Sequence, residues 1–395
     1  MMPHILFLLS ACCANCDHVR YRHSYVRKCE PFNIWPAQLS DINSNDIERG
    51  EYLMCCMCQI VPERVLKRLA ADRKFSAEQR KNFADTIKID TQLRRLRTQA
   101  ARLTRVAGLM AEAPTVAPAP AITVYDCNHG QTLPGAQILN PATSTDPTAR
   151  HVFSETKSVE AFYAQVFGRN SIDNAGMTMI SSIHYGVRYN NAFWNGSQMT
   201  YGDGDGSIFL DFSNANDVIG HELTHGVTQY SLQLNYTNDA GGLNESLSDC
   251  FGSMFRQWEA NQTVKQADWL IGKDIMGPSA IESGYSCLRD MADPDAKHCL
   301  APQPTKYSQV RPGMDPHLSS GPPNLAFCTI AKAVGGNSWD EVGQIWYRSM
   351  TGFGPAPNLK MSAFADRTRA VAAELYPNNT ALARAVDAGW KKVGL

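Results

Sequence analysis

No apolar run in this 395-residue chain reaches the roughly 20 residues needed to span a bilayer, so no segment reads as a transmembrane helix. An excess of charge of one sign is also lacking. Lys and Arg total 37 against 38 Asp and Glu, a formal net charge of −1, which gives no global case for nucleic acid or an anionic membrane. No internal repeat is found, which excludes a solenoid or propeller. The hydrophobic fraction of 44% is ordinary for a soluble protein. The length suggests two to three structural units at roughly 100–200 residues each, enough to bury a sizeable core.

A complete disulfide framework is lacking as well. Of the 12 cysteines, Cys12, Cys13, Cys16, Cys29, Cys55, Cys56 and Cys58 precede residue 60, and Cys127, Cys250, Cys287, Cys299 and Cys328 follow. The odd number in the main body argues against full pairing, although Cys287 and Cys299 could pair. Cys13 and Cys16 form a C-x-x-C, but no second pair sits at zinc-ribbon spacing. Near the start, Ile5 to Leu9 is apolar and Leu9-Ser10-Ala11-Cys12 looks like a lipoprotein cleavage site. The preceding stretch is short and has no Lys or Arg, so it reads as a poor signal peptide.

What is present falls into segments. Residues 1–51 have no periodicity and remain unassigned. Residues 52–112 read as helical: Val61, Val65, Leu66 and Leu69 recur at helical spacing behind Pro62, and a second pattern runs from Ser76 to about Leu109. The cations here, Arg64, Lys67, Arg68, Arg94, Arg95, Arg97, Arg102 and Arg105, have no aromatic residues interleaved. They read as a solvated helical face rather than a nucleic-acid patch. Pro and Ala dominate 113–121, the expected linker and processing site. Residues 122–216 look strand-rich, with alternation from Met177 to Tyr189, turns at 202–206 and one helix from Ser158 to about Phe167. Helical patterns then cover 217–230, 242–260, 323–334, 338–350, 361–375 and 379–392. Strands first and helices later predict an α+β chain: a strand-rich lobe over 122–216, a helical lobe over 217–395, a cleft between them, and a small helical unit in front over 52–121.

The chemistry centres on His221-Glu222-Leu223-Thr224-His225. Histidines four apart on a helix point at one place, and two neutral imidazoles suit Zn²⁺. Glu222, beside the first histidine, can reach a water activated by the metal. The five residues alone are only moderately specific, since two surface histidines can fall at this spacing by chance. A catalytic zinc needs a third ligand and an open position. Asn244-Glu245-Ser246-Leu247-Ser248-Asp249 offers Glu245 as that ligand. Asp249, one turn on, can accept the spare N–H of a ligand histidine and fix its tautomer. Two carboxylates on one face outweigh the bland alternative of an ordinary acidic first helical turn.

At this point the chain resembles a known family. Asn191-Ala192-Phe193-Trp194-Asn195-Gly196, Tyr201-Gly202-Asp203-Gly204-Asp205-Gly206, the run from Asp217 to Tyr236 and the run from Gly242 to Gly252 look like thermolysin-family zinc peptidases, over roughly residues 122–395. Cys58-Gln59-Ile60-Val61-Pro62 leading into a helix resembles the short propeptide of the protealysin branch. The resemblance implies one catalytic Zn²⁺ held by His221, His225 and Glu245, with Glu222 as the base and Asp249 orienting His221. It also implies that Tyr236 and His317 stabilise the oxyanion. Asn191 and the Ala192 backbone would hold the extended peptide, and Arg289 would bind the carbonyl on the primed side. Phe209, Val218, Ile271 and Leu288 would wall an apolar S1′ pocket, favouring cleavage before bulky hydrophobic residues. As apolar residues, these four could equally be plain core.

Two departures from the family stand out. Pro312 occupies the position of the usual aspartate near His317, and Asp315, two residues before it, resembles the pseudolysin arrangement and is expected to orient and charge His317. Arg256, Leu270 and Lys273 stand where the family has Glu, while Asp217 and Asp268 remain. Cations there would repel Ca²⁺, so the thermolysin-type double calcium site is expected to be lost, with calcium elsewhere left open. Asp203-Gly204-Asp205 begins like an EF-hand, but Asn214 stands at the twelfth position, so it reads as a turn.

The function expected is a zinc-dependent endopeptidase made as a zymogen, acting on proteins or peptides, without nucleic-acid or membrane partners, and monomeric once its propeptide is removed. A cysteine of the 55–58 cluster could cap the zinc, although buried thiols are commoner than ligands. The family's habit points to secretion, while the weak leader is compatible with a cytoplasmic precursor. An inactive zinc-binding homologue and an exopeptidase are the alternatives. Glu222, Tyr236 and His317 argue against the first, and no group to hold a peptide terminus is seen for the second.

Overall fold

A computed structural model describes residues 58–104 and 120–395. The expectations for residues 1–51, for Cys12, Cys13, Cys16, Cys29, Cys55 and Cys56, and for most of the 113–121 linker lie outside the described residues.

The front unit consists of strand β1 (Cys58–Gln59) and helices α1 (Glu63–Ala71) and α2 (Ala77–Thr104). Glu63 in the first turn of α1 and Arg68 in its last suit the helix dipole, and Val65, Leu66 and Leu69 bury one face. A reciprocal cap opens α2. Ser76 Oγ accepts from the Gln79 N–H at 3.1 Å, and Gln79 Oε1 accepts from the Ser76 N–H at 2.8 Å.

The next part holds β2 (Ile122–Asp126), β3 (Ala136–Ile138), helix α3 (Pro147–Phe167), β4 (Met179–Ile183), β5 (Ala192–Trp194) and β6 (Met199–Tyr201). The strands form one six-stranded sheet in the order β1-β5-β6-β4-β2-β3. Its edge is β1, antiparallel to β5, with Cys58 opposite Trp194 and Gln59 opposite Phe193. Two sequence expectations are corrected here. The helix expected from Ser158 starts at Pro147, because Asp146 caps it by accepting from the Thr148 N–H at 2.9 Å and Pro147 suits the first turn. The strand expected over 177–189 stops at Ile183. His184 takes a left-handed φ of 52° and is tied to Asp203 at 2.8 Å and Asp146 at 3.0 Å.

The remainder is mainly helical: α4 (Asn216–Gln229), α5 (Asn238–Glu259), β7 (Leu270–Ile271), α6 (Pro278–Glu282), β8 (Arg289–Asp290), α7 (Pro316–Ser319), α8 (Gly321–Val334), α9 (Glu341–Thr351), α10 (Met361–Leu375) and α11 (Thr380–Val393). The α+β order expected from the sequence is the one observed. Every residue of α4 from Asp217 to Thr228 is buried, so this helix has neighbours on all sides. Glycines set its distance from α5. A Cβ on Gly220 would meet Gly252 Cα at 3.1 Å, and one on Gly252 would meet the Asp217 carbonyl oxygen at 2.5 Å. Among the described residues no helix is long and apolar enough to cross a membrane.

Candidate active site

The close crossing of α4 and α5 brings His221 and His225 from one helix against Glu245 and Asp249 from the other. The two Nε2 atoms lie 3.0 Å apart. Glu245 Oε2 is 3.5 Å from His221 Nε2, and Oε1 is 3.4 Å from His225 Nε2. These separations are close to the edge of about 3.3 Å for a tetrahedron with metal–ligand bonds of about 2.0–2.1 Å. Glu245 Oε2 is buried without a hydrogen-bond partner. A buried carboxylate oxygen facing two imidazole nitrogens fits a divalent cation such as zinc.

The other ring nitrogens are occupied. His221 Nδ1 donates to Asp249 Oδ1 at 2.8 Å, which leaves Nε2 as its lone-pair nitrogen. His225 Nδ1 faces Asn244 Oδ1 at 2.8 Å and Ser248 Oγ at 3.0 Å. Burial, reinforced by the neighbouring His221, holds the His225 pKa well below its ordinary value. The imidazole is therefore kept neutral, as a ligand must be. Burial alone would raise the pKa of Asp249, but Arg289 and His221 outweigh it and hold the carboxylate well below its usual range. Glu222 is aimed by the sheet, since its Oε2 accepts from the backbone N–H of Trp194 on β5 at 2.9 Å.

Tyr236 and His317 stand beside Glu245. The Tyr236 hydroxyl donates to Glu245 Oε1 and lies 3.3 Å from His317 Nε2. Burial, then Glu245, pushes the phenol pKa well above its ordinary value, so it remains a donor. Asp315 caps α7 through the His317 N–H at 3.0 Å and accepts from His317 Nδ1 at 2.8 Å. Burial works against charging His317, but Glu245 and Asp315 raise its pKa overall, and Asp315 itself is held down to about 2. His317 Nε2 donates to the carbonyl of Gln59, so both ring nitrogens act as donors, as in the imidazolium form.

That carbonyl belongs to the front unit, and other expected peptide-binding groups grip the same segment. The Ile60 N–H donates to the Ala192 carbonyl at 3.2 Å, and Arg289 Nη1 donates to the Ile60 carbonyl at 3.0 Å. Asn191 binds Val61 twice, accepting from its N–H at 2.9 Å and donating to its carbonyl at 3.2 Å. Residues 59–61 thus extend the sheet as a peptide would in β-augmentation. Phe209, Val218, Ile271 and Leu288 are fully buried in the same apolar cluster as Ile60. Leu288 N–H donates to the Ile271 carbonyl at 2.9 Å.

Three of the arginines expected on a solvated face also hold protein acceptors, two of them half-buried and Arg68 still exposed. Arg64 donates to the Pro302 carbonyl at 3.0 Å, Arg68 to the Leu300 carbonyl at 2.5 Å, and Arg94 to Gln59 Oε1 at 2.7 Å and to Glu63. Arg64 and Arg68 tie the front unit to the rest, and Arg94 braces it internally, which spacing alone could not reveal.

At the expected calcium positions, Arg256 stands 3.5 Å from Asp268 and 3.4 Å from Asp274, and Lys273 stands 3.2 Å from Asp268. Asp217 Oδ2 accepts from the Gly272 N–H at 2.7 Å. Arg256 Nη1 also takes the Leu270 carbonyl at 3.2 Å.

Several site residues escaped the sequence reading. Asn244 and Ser248 lay inside the quoted 244–249 run, and their helical offset to His225 was the available signal. Asn324 donates to Asp249 Oδ2 at 2.8 Å, and Gln303 donates to the His317 carbonyl at 2.6 Å. Both come from distant segments and carry no local pattern. Asp90 on α2 accepts from Tyr189 and, at 3.1 Å, from Asn191.

Comparison with known proteins finds relatives among the metallopeptidases. Residues 111–229 match the thermolysin metallopeptidase catalytic domain, and residues 232–395 match the thermolysin metallopeptidase alpha-helical domain. The chain is similar to an extracellular metalloprotease of Pectobacterium carotovorum subsp. carotovorum, 38% identical over 284 residues, covering 69% of this chain and 80% of that one. It is also similar to protease PrtS of Photorhabdus sp. (strain Az29), 34% identical over 286 residues, covering 69% and 76%. Among solved structures it resembles the precursor of protealysin, a metalloproteinase from Serratia proteamaculans, with a TM-score of 0.73 and 33% identity over 85% of this chain and 99% of that one.

Proposed function

The chain belongs to the thermolysin family of metallopeptidases, in its protealysin-like branch, and is a metalloendopeptidase acting on proteins; from that premise we propose that His221, His225 and Glu245 hold its catalytic zinc and that the described chain is the latent zymogen. When bound, zinc supplies Lewis acidity, polarising the scissile carbonyl and lowering the pKa of a water molecule to about 7.

The protein's own groups do the rest. Glu222, aimed by the Trp194 N–H, takes the proton of the attacking water and passes it to the leaving amine. Tyr236 and the charged His317 donate to the oxygen that becomes negative, and Asp315 keeps His317 charged. Asn191, Ala192 and Arg289 align the substrate backbone as an added strand. Phe209, Val218, Ile271 and Leu288 give the subsite after the cut its apolar character, which favours bulky hydrophobic residues there.

The observation that carries this reading is the grip on residues 59–61. Four independent groups, His317, Ala192, Arg289 and Asn191, converge on one extended segment with the Gln59–Ile60 bond beside the metal ligands. That is the posture of a substrate, and while the segment stays there no substrate can enter. Removal near 113–121 would free the cleft. The name of the Pectobacterium relative supports an extracellular site of action.

The test uses casein and a peptide blocked at both ends. The processed protein should cleave both, lose activity to a zinc chelator, regain it with zinc, and lose it on Glu222→Ala. Cleavage of unblocked peptides alone would make it an exopeptidase. Zinc binding without any cleavage would make it a binding protein.

A further inference from the structure

We propose that Cys287, His298 and Cys299 bind a further zinc ion, separate from the one at His221, His225 and Glu245. Cys287 stands directly opposite Cys299 in a parallel bridge, so both sulfurs leave the backbone on one face. Both side chains are buried, and the sulfurs are 3.8 Å apart. A tetrahedron with Zn–S bonds of about 2.3 Å has an edge of about 3.8 Å. A turn closed by the Cys299 N–H on the Ala296 carbonyl at 3.1 Å keeps His298 beside the pair. One of its ring nitrogens lies within 4.8 Å of both sulfurs. On its other side, His298 Nε2 is 3.2 Å from Asp290 Oδ2.

The chemistry selects zinc. Thiolate and imidazole suit Zn²⁺, whereas Ca²⁺ and Mg²⁺ take oxygen ligands. Each thiol gives its proton to solvent as its sulfur bonds the metal. Two thiolates and one neutral imidazole then leave the complex uncharged, which lowers the cost of burying it. Asp290, accepting from Nε2, fixes the tautomer and leaves Nδ1 to the metal, the usual support for a zinc-bound histidine. The His298 side chain is 41% exposed, so the ion has a way in and water can take the fourth position. A disulfide would use the two sulfurs alone and leave His298 and Asp290 no part.

The place in the chain gives this ion a task. Cys287 directly precedes Leu288 and Arg289, and Arg289 holds the Ile60 carbonyl at 3.0 Å. Cys299 directly precedes Leu300, whose carbonyl receives Arg68 at 2.5 Å, and the Pro302 carbonyl receives Arg64 at 3.0 Å. The two segments are paired beyond the cysteines, with the Leu300 N–H on the Cys287 carbonyl at 2.9 Å and the Ala301 N–H on the Leu288 carbonyl at 2.8 Å. A metal cross-link where they start fixes one platform. That platform carries both the arginine that grips residues 59–61 and the carbonyls that receive α1.

The test uses the full-length chain carrying Glu222→Gln, which keeps the front unit attached, purified with zinc and freed of loose metal by gel filtration. Cys287→Ser/Cys299→Ser should lower its zinc content by one ion per chain. In the cobalt-loaded protein the same pair of substitutions should remove part of the sulfur-to-cobalt charge-transfer band in the near ultraviolet. His298→Gln keeps both buried thiols and alters only a half-exposed side chain, so it serves where the double variant fails to fold. It should lose the same ion. Asp290→Asn should weaken binding by about 10–100-fold in competition against a fluorescent chelator. Equal zinc content and equal cobalt spectra in the parent, the double variant and His298→Gln would overturn the site. A Cys287–Cys299 disulfide in the peptide map of the parent would do the same. None of these readouts needs peptide hydrolysis, so the outcome does not depend on the peptidase reading above.

Discussion

Asp249 and Arg289 are joined by two parallel hydrogen bonds, from Arg289 Nε to Asp249 Oδ2 at 2.9 Å and from Nη2 to Oδ1 at 2.7 Å. The same carboxylate holds His221 Nδ1 at 2.8 Å, while the same guanidinium holds the Ile60 carbonyl at 3.0 Å. One buried ion pair therefore links the orientation of His221 to the grip on residues 59–61. Its two halves depend on each other, because a buried charge without its partner is costly.

From this linkage, Asp249→Asn should lower zinc affinity by about 10–100-fold and raise KM at the same time. Competition against a fluorescent chelator gives the first quantity and peptide kinetics the second. Unchanged zinc affinity would mean that His221 is oriented without Asp249.

For Glu222→Gln the expected loss in kcat is about 10²–10⁴-fold, the range for a positioned acid–base group, with zinc still bound. A loss of only a few-fold in a zinc-replete sample would remove Glu222 from the role of base.

Removing the oxyanion donor in His317→Ala should cost about 2.7–4 kcal/mol in kcat with little change in KM. Asp315→Asn should cost less, since the imidazole remains. If His317→Ala acts on KM alone, the residue binds ground-state peptide instead.

The calcium positions give a prediction of opposite sign to the thermolysin pattern. Arg256 and Lys273 already neutralise Asp268 and Asp274, so a calcium-selective chelator should leave the melting temperature unchanged. A fall in melting temperature that calcium reverses would show a calcium site.

How much of this was legible beforehand depended on whether the signal was local. His221, Glu222 and His225 share one helix, and Glu245 and Asp249 share the next, so 3.6-residue periodicity placed each group on one helical face, and the close crossing of the two helices brought the faces together. Helix α4 was legible from its helical pattern and its motif, although it is buried on all sides. The start of α3 was missed because its first turns mix buried Ala149 and Val152 with Arg150, His151, Ser154 and Glu155, a pattern too broken to read as an apolar stripe. Gln303, Asn324 and Asp90 reach the site from far along the chain, and no spacing rule ties them to it. The arginines of α1 and α2 illustrate the same limit. A cationic helix face looks solvated until the carbonyls it meets are in place.

Asp90 supplies the last prediction, a pH-dependent hold on the front unit. It sits on α2, is completely buried, and accepts from Tyr189 and Asn191 of the rest of the protein. Burial raises its pKa from 3.8 to about 7, against the lowering pull of the Tyr189 bond, Arg94 and Asn191, with Glu63 pushing the same way as burial. An acid whose pKa is raised in the docked state binds its proton more tightly there. Docking is therefore strongest below the undocked pKa, weakens as pH climbs from about 4 to about 7, and changes no further above that. The intact chain should protect its front unit from hydrogen exchange better near about pH 5 than near about pH 8, after correction for intrinsic exchange rates. The Glu222→Gln background keeps cleavage from confusing the readout. Asp90→Asn removes this titrating group, so its protection should vary less with pH over this window, the remainder coming from His317 on the Gln59 carbonyl. An equal slope in both chains would place the pH dependence on another group.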